Sequence, residues 1–203
     1  MPGRLFLDAA PAEIASLFGV AFPGPLAPRR NIAPGQEILV FDGEQVNTMR
    51  WGILPVGRTN ARGRPVMETL INARSETVFQ KSAFAGTRRG VVPARGWYEW
   101  TGERRRKKAW QIQAKSGNLL CFAAIWDIWQ APGGRDIAQV ATLTCPPNAD
   151  VRDIHDRMGV LLEPQSIAKF LKSDADEVQD LLVPAPDGSL SVAPAKNVDW
   201  DGP

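Results

Sequence analysis

Two periods of apolar and polar residues alternate along the chain, and where one gives way to the other marks its elements. After a short opening strand, DAAPAEIASLFGV (8–20) carries a helical pattern, with Pro11 suited to a first turn and Gly19 to a stop. Proline then interrupts both periods, so 22–34 (FPGPLAPRRNIAP) reads as an irregular loop. EILVF and TMRWGILP follow with the β-branched and aromatic content of strands. Residues 57–67 have no clean period and read as a basic, mobile loop. ETLIN then reads as a strand and ARSETVFQKSAF (73–84) as a helix.

From RRGVVPARGWYEW onward the period shortens. AWQIQAK, LLCFAAIWDIW and IAQVATLTC continue it, and the basic run TGERRRKK falls in a hairpin connection. Helical patterns return in NADVRDIHDRM, PQSIAKFL and DADEVQDLL, the last with Asp174 and Glu177 at capping-box spacing. The expected fold is α+β: one domain over 1–203, with a mainly antiparallel, barrel-like β core flanked by helices.

Composition narrows this picture only slightly. With 203 residues and a net charge of +2, the chain can bury a sizeable core, and polyanion binding would need locally placed cations. Two cysteines make no disulfide framework, and no apolar run reaches a membrane span, so a cytoplasmic protein is expected. Walker, dinucleotide, HExxH and CxxC motifs are all missing from the sequence, and neither cofactor nor metal is expected.

Several residues carry chemistry, each beside a plainer reading. His155 is the sole histidine, a residue more often structural than catalytic when alone, and Asp153 and Asp156 beside it would favour its charged form if they lie close. In GWYEW, strand alternation puts Trp97 and Glu99 on one face. Glu99 is then either a carboxyl whose pKa indole burial raises, or a strand-end group facing water. Asn72 stands where a strand hands over to a helix, as a cap or as an amide presented at a sheet edge. Arg74 suits a phosphate or a solvated face. Arg4, Arg62, Arg64, Arg88 and Arg89 lie near tryptophans and prolines, the mixture that binds single strands, whereas Arg104–Lys108 reads as a solvated run.

MPGR, NIAPGQ, WGILP, INARSETV, RRGVVPARGWYEW and IHDRM stand in the order and spacing of the SOS-response-associated peptidase family, which residues 1–162 resemble. The resemblance implies a positively charged cleft for single-stranded DNA and an amino-terminal residue, bared by methionine removal, that attacks the ring-opened aldehyde of an abasic site. It assigns Asn72 to orienting sugar or nucleophile, Glu99 to acid or base work at the terminal amine, and His155 to ring opening and adduct reversal. Arg4 and Arg74 would hold phosphates, and Trp51 would line the cleft or stack. The family pattern begins Met-Cys-Gly-Arg, whereas this chain has Pro2, an amine without the thiol that closes a thiazolidine. Three expectations follow: an iminium at Pro2, a non-catalytic binder of single-stranded or junction DNA, or a displaced thiol at Cys145.

Overall fold

A computed structural model describes residues 2–22, 24–55, 62, 69–103, 106–131 and 133–202. Its first strand, β1 (Leu5–Leu7), is wholly buried, and α1 (Pro11–Phe18) follows with Pro11 in its first turn. Gly19 ends that helix at φ 67°, a left-handed conformation that costs least without a Cβ. The expected proline loop is shorter than its composition suggests, because Arg29–Ile32 forms β2 along the edge of β1. EILVF and TMRW become β3 (Glu37–Phe41) and β4 (Val46–Trp51), an antiparallel pair.

Glu68 of ETLIN lies outside the described residues, and the rest holds a bridge between Leu70 and Ile53 and the start of β5 (Asn72–Arg74). The helix expected over 73–84 does not form. Strand pairing claims Ala73 and Arg74, the Ser75 N–H goes on to the Thr144 carbonyl, and the β-branched pair Thr77 and Val78 sits in turns instead. Only Ser82–Phe84 makes a short 3-10 turn there.

The middle of the chain is antiparallel β as expected: β6 (Arg88–Ala94), β7 (Gly96–Thr101), β8 (Lys108–Ala114), β9 (Leu120–Ala131) and β10 (Arg135–Cys145). Two short strands, β11 (Met158–Gly159) and β12 (Leu161–Leu162), then α2 (Ile167–Lys172) and β13 (Leu190–Pro194), complete it. NADVRDIHDRM is a run of turns, not a helix: Asn148 spends its side-chain amide on the carbonyls of Ala185 and Pro186 and its Oδ1 on the Val151 N–H. DADEVQDLL forms a 3-10 segment over Asp176–Leu181, and the Asp174 N–H does reach the Glu177 carboxylate at 3.2 Å.

Pairings β10–β4, β4–β3, β3–β6, β6–β9 and β9–β10 return to their start, so five strands close a barrel. β10 also takes β5 as a parallel neighbour. A second sheet, ordered β13-β8-β7-β1-β2, packs on the barrel through Trp97, whose ring meets Phe122 edge-on at 5.7 Å. Within that sheet Gly96 lets its neighbours crowd β7, because a Cβ there would lie 2.1 Å from the Ile112 carbonyl oxygen and 2.6 Å from the Phe6 ring. The fold is therefore mostly β, with helices few and short. Among the described residues no helix is long and apolar enough to cross a membrane.

Candidate active site

The amino-terminal segment enters the second sheet between two partners. β1 runs antiparallel to β7 with Leu5 opposite Trp97, and the Tyr98 N–H donates to the Arg4 carbonyl at 2.9 Å. Continuing that register brings Gly3 level with Glu99 and sets Pro2 at the end of the strand. Pro2 is buried, and its carbonyl accepts a 2.8 Å hydrogen bond from Asn72 Nδ2. Gly159 lies beside it: a Cβ there would stand 3.6 Å from Pro2 Cγ and only 2.4 Å from the Phe122 ring.

Asn72 is thus a sheet-edge amide rather than a helix cap. It opens β5, opposite Thr142 of β10, and its Oδ1 accepts the Thr142 hydroxyl at 2.5 Å. That acceptance fixes which end of the amide faces Pro2, so Nδ2 is held in place as a donor. Thr142 escaped the sequence reading because TLTC looks like ordinary strand.

Glu99 is only 4% exposed and shares a strand face with Trp97, as alternation predicts. Burial pushes its pKa up to about 7. The positive charge and hydrogen bond of the chain's amino terminus, with the Trp97 indole N–H, pull the other way, while Asp156 adds to the rise. A carboxyl half-protonated near neutrality is suited to giving and taking a proton. His155 is affected by the same terminus. Burial lowers its pKa first, the terminal charge lowers it further, and Asp156 opposes both.

The His155 Nδ1 has two suitors. The Arg157 N–H donates to it at 3.0 Å, which requires a bare nitrogen, while Asp156 Oδ1 lies 2.7 Å away, which requires a proton. Burial favours the neutral ring, Asp156 is 87% exposed and well solvated without the imidazole, and the Arg157 N–H fits a bare Nδ1. Neutral His155 then carries its proton on Nε2.

The remaining expected residues scatter. Trp51 is fully buried with its indole N–H on the Ile71 carbonyl at 3.0 Å, so the expected stacking surface is a core residue with no face to offer a base. Arg89 is half-buried, donates to the Ser173 carbonyl and lies over Phe79 and Phe170, tying β6 to α2. Arg88 is exposed and stacks on Trp126 at 3.7 Å. Arg74 is exposed, two residues beyond Asn72. Arg4 lies on the outer face of β1 with Phe6 and Tyr98, where its guanidinium donates to Asn31 Oδ1 and to the Trp200 carbonyl. Met1, Arg64, Arg104 and Arg105 lie outside the described residues, as does the expected basic loop apart from Arg62.

Both thiols are buried, and burial raises each to about 12, so Cys145 offers no thiolate in place of a terminal one. Among the described residues, no three His, Cys, Asp or Glu side chains gather as metal ligands would.

Comparison with known proteins places the chain in a family. A family model described as SOS response associated peptidase (SRAP) matches residues 1–198. Abasic site processing protein YoqW of Bacillus subtilis is 34% identical over 172 residues, covering 79% of this chain and 75% of its own. YoaM of the same organism, also named an abasic site processing protein, is 33% identical over 198 residues, covering 91% and 86%. Mouse HMCES, of the same description, is 28% identical over 165 residues, covering 66% of this chain and 47% of its own. Among solved structures, a Bacteroides thetaiotaomicron protein superposes with a TM-score of 0.83 at 20% identity, covering 96% of this chain and 92% of its own. One from Bordetella bronchiseptica gives 0.79 at 24%, covering 96% and 100%. At those identities the likeness is one of fold. The sequence match over nearly the whole chain says more: this chain belongs to the SOS response associated peptidase family.

Proposed function

We propose that this protein processes abasic sites in single-stranded DNA as part of a cytoplasmic DNA-damage (SOS) response, using the Pro2 amine as nucleophile once Met1 is removed. The observation that carries the reading is the convergence on one chain end: Asn72 grips the Pro2 carbonyl, and Glu99 and His155 both respond to the amino-terminal charge, carried by Met1 until its removal passes it to Pro2. The relatives' shared description as abasic site processing proteins supplies the substrate class.

The chemistry balances with these groups. The neutral secondary amine of Pro2 adds to the aldehyde carbon, and Glu99 in its acid form protonates the departing hydroxyl, which leaves as water and yields an iminium. Neutral His155 can accept the C2′ proton. That leaves an enamine whose electrons expel the 3′-phosphate, nicking the strand, and water later hydrolyses the unsaturated iminium and returns the amine. Arg74, exposed beside Asn72, is the phosphate holder this reading favours. Arg4 serves only after releasing the Trp200 carbonyl. No thiol joins the adduct, since both cysteines are buried, so durable ring closure gives way to a reversible bond.

Borohydride added with abasic single-stranded DNA should trap the protein, and intact-mass mapping should place the adduct on Pro2. Protein lacking Met1 that gives no adduct would refute the mechanism. The same burial of the thiols favours a second reading, a binder of single-stranded or junction DNA without covalent chemistry. It calls for tight, salt-sensitive binding that Pro2→Ala leaves unchanged and that does not distinguish abasic from intact strands.

A further inference from the structure

A bidentate ion pair joins the segments that follow Asn72 and His155. Glu76 follows β5 on the surface, and its two carboxylate oxygens receive the two terminal nitrogens of Arg157 at 2.5 and 2.9 Å. Arg157, itself 9% exposed, gives Nη2 also to the Thr144 carbonyl at 2.5 Å and to the Thr144 hydroxyl at 3.3 Å. Thr144 pairs with Arg74 across β10 and β5, so the guanidinium is fastened to the joint between two parallel strands. A planar fork held at both prongs and from a third side has little freedom to turn.

The fastening passes along the backbone. The Arg157 N–H donates to His155 Nδ1, and the next residue, Met158, is already paired with Cys145 in β11. We propose that Glu76 is a positioning residue for His155: by holding Arg157 it fixes the backbone N–H that keeps Nδ1 bare and the proton on Nε2. Loosened, that N–H withdraws and leaves Nδ1 to Asp156, 2.7 Å away. The charged groups that act on the imidazole are Asp156 on its own loop and the positive amino terminus, while Arg157 reaches it through its backbone N–H. Glu99 on β7 is within electrostatic reach of the same Asp156.

This goes beyond the proposed function by adding a residue that touches no substrate, and it bears on catalysis only through His155. Its test needs no DNA, so it fails or stands separately from the abasic-site reading. His155 is the sole histidine, and imidazole nitrogen NMR therefore reports it alone. The wild type should show the Nε2–H tautomer and a titration below 6.5. Glu76→Gln, at a carboxylate 45% exposed, should leave the fold intact, mix the tautomers and raise the titration by about half a pH unit or more as Nδ1 turns to Asp156.

A purely electrostatic neighbour gives the opposite sign. Removing a carboxylate and leaving Arg157 uncompensated would make the imidazolium less stable and lower the titration. Glu76→Asp, which keeps the charge and can hold one prong, should restore the tautomer in part. An unchanged tautomer in Glu76→Gln, with the titration lowered or unmoved, overturns the proposal.

Discussion

Glu99→Gln separates burial from charge at the centre of the site. In the folded chain the Glu99 carboxyl titrates at about 7, against an ordinary 4.5. The folded state therefore holds a proton that the unfolded chain gives up earlier, and stability falls as pH rises from about 4.5 to beyond 7. The gap, at about 1.4 kcal/mol for each pH unit, amounts to about 3 kcal/mol of destabilisation once Glu99 is ionised in both states. Glutamine resembles the protonated acid in shape and donor capacity and cannot ionise. Glu99→Gln should thus come within about 1 kcal/mol of wild type at pH 5 and exceed it by about 3 kcal/mol at pH 9, or roughly 6–12 °C in Tm for a domain of this size.

His155 works in the other direction. Its lowered pKa means that stability is full above the ordinary value of 6.5 and declines as pH falls below it, so it partly masks Glu99 in the wild type. In Glu99→Gln only the His155 contribution is left, and stability should rise gently through pH 6 and then level off. Urea unfolding at half-unit steps between pH 5 and 9 resolves both slopes. A variant that tracks wild type across that range would mean that Glu99 is not held near neutrality, and the acid-base role built on it would fall.

Thr142→Val removes the hydroxyl that orients Asn72; a buried acceptor left bare costs about 1–3 kcal/mol in urea unfolding, and trapping at Pro2 should slow as the amide loses its bearing. Gly159→Ala drives a methyl to 2.4 Å from the Phe122 ring and should cost about 1–3 kcal/mol by the same measurement, whereas full stability would mean that β11 has room to shift. Trp200→Ala uncovers Tyr98, the chain's sole tyrosine, from a ring contact at 5.0 Å. Burial raises the Tyr98 phenol above its ordinary 10.0, so its ultraviolet titration should move back down, and an unmoved titration would show that the Trp200 segment does not cover it.

Strands were legible where side chains alone decide them. LLCFAAIWDIW and IAQVATLTC announce β9 and β10 because a barrel wall covered on both faces needs an unbroken apolar run. Helices failed where long-range partners outbid local propensity: β10 draws Ala73 and Arg74 into a parallel pairing, and Asn148 is anchored to a distant segment. Alternation correctly put Glu99 beside Trp97, yet no spacing rule could tell that Trp51 would point inward while Asn72 met Pro2. The motifs INARSET and IHDRM each contain one half of the Glu76–Arg157 pair, a relation that only the folded joint between β5 and β10 reveals.

That joint explains why so many groups fall into place together. Thr142 and Thr144 are both fully buried in the otherwise apolar stretch from Val140 to Cys145, and a buried hydroxyl is costly unless it is bonded. Two residues apart, they face the same side of β10, and each is bonded to something that serves the site. Thr142 orients the amide that grips Pro2, and Thr144 receives the guanidinium whose backbone meets His155. Cys145 then pairs with Met158, next to the glycine that leaves room for Pro2. A slip of one residue in β10 would turn both hydroxyls away from β5, so the barrel's register and the geometry around the amino terminus are a single constraint.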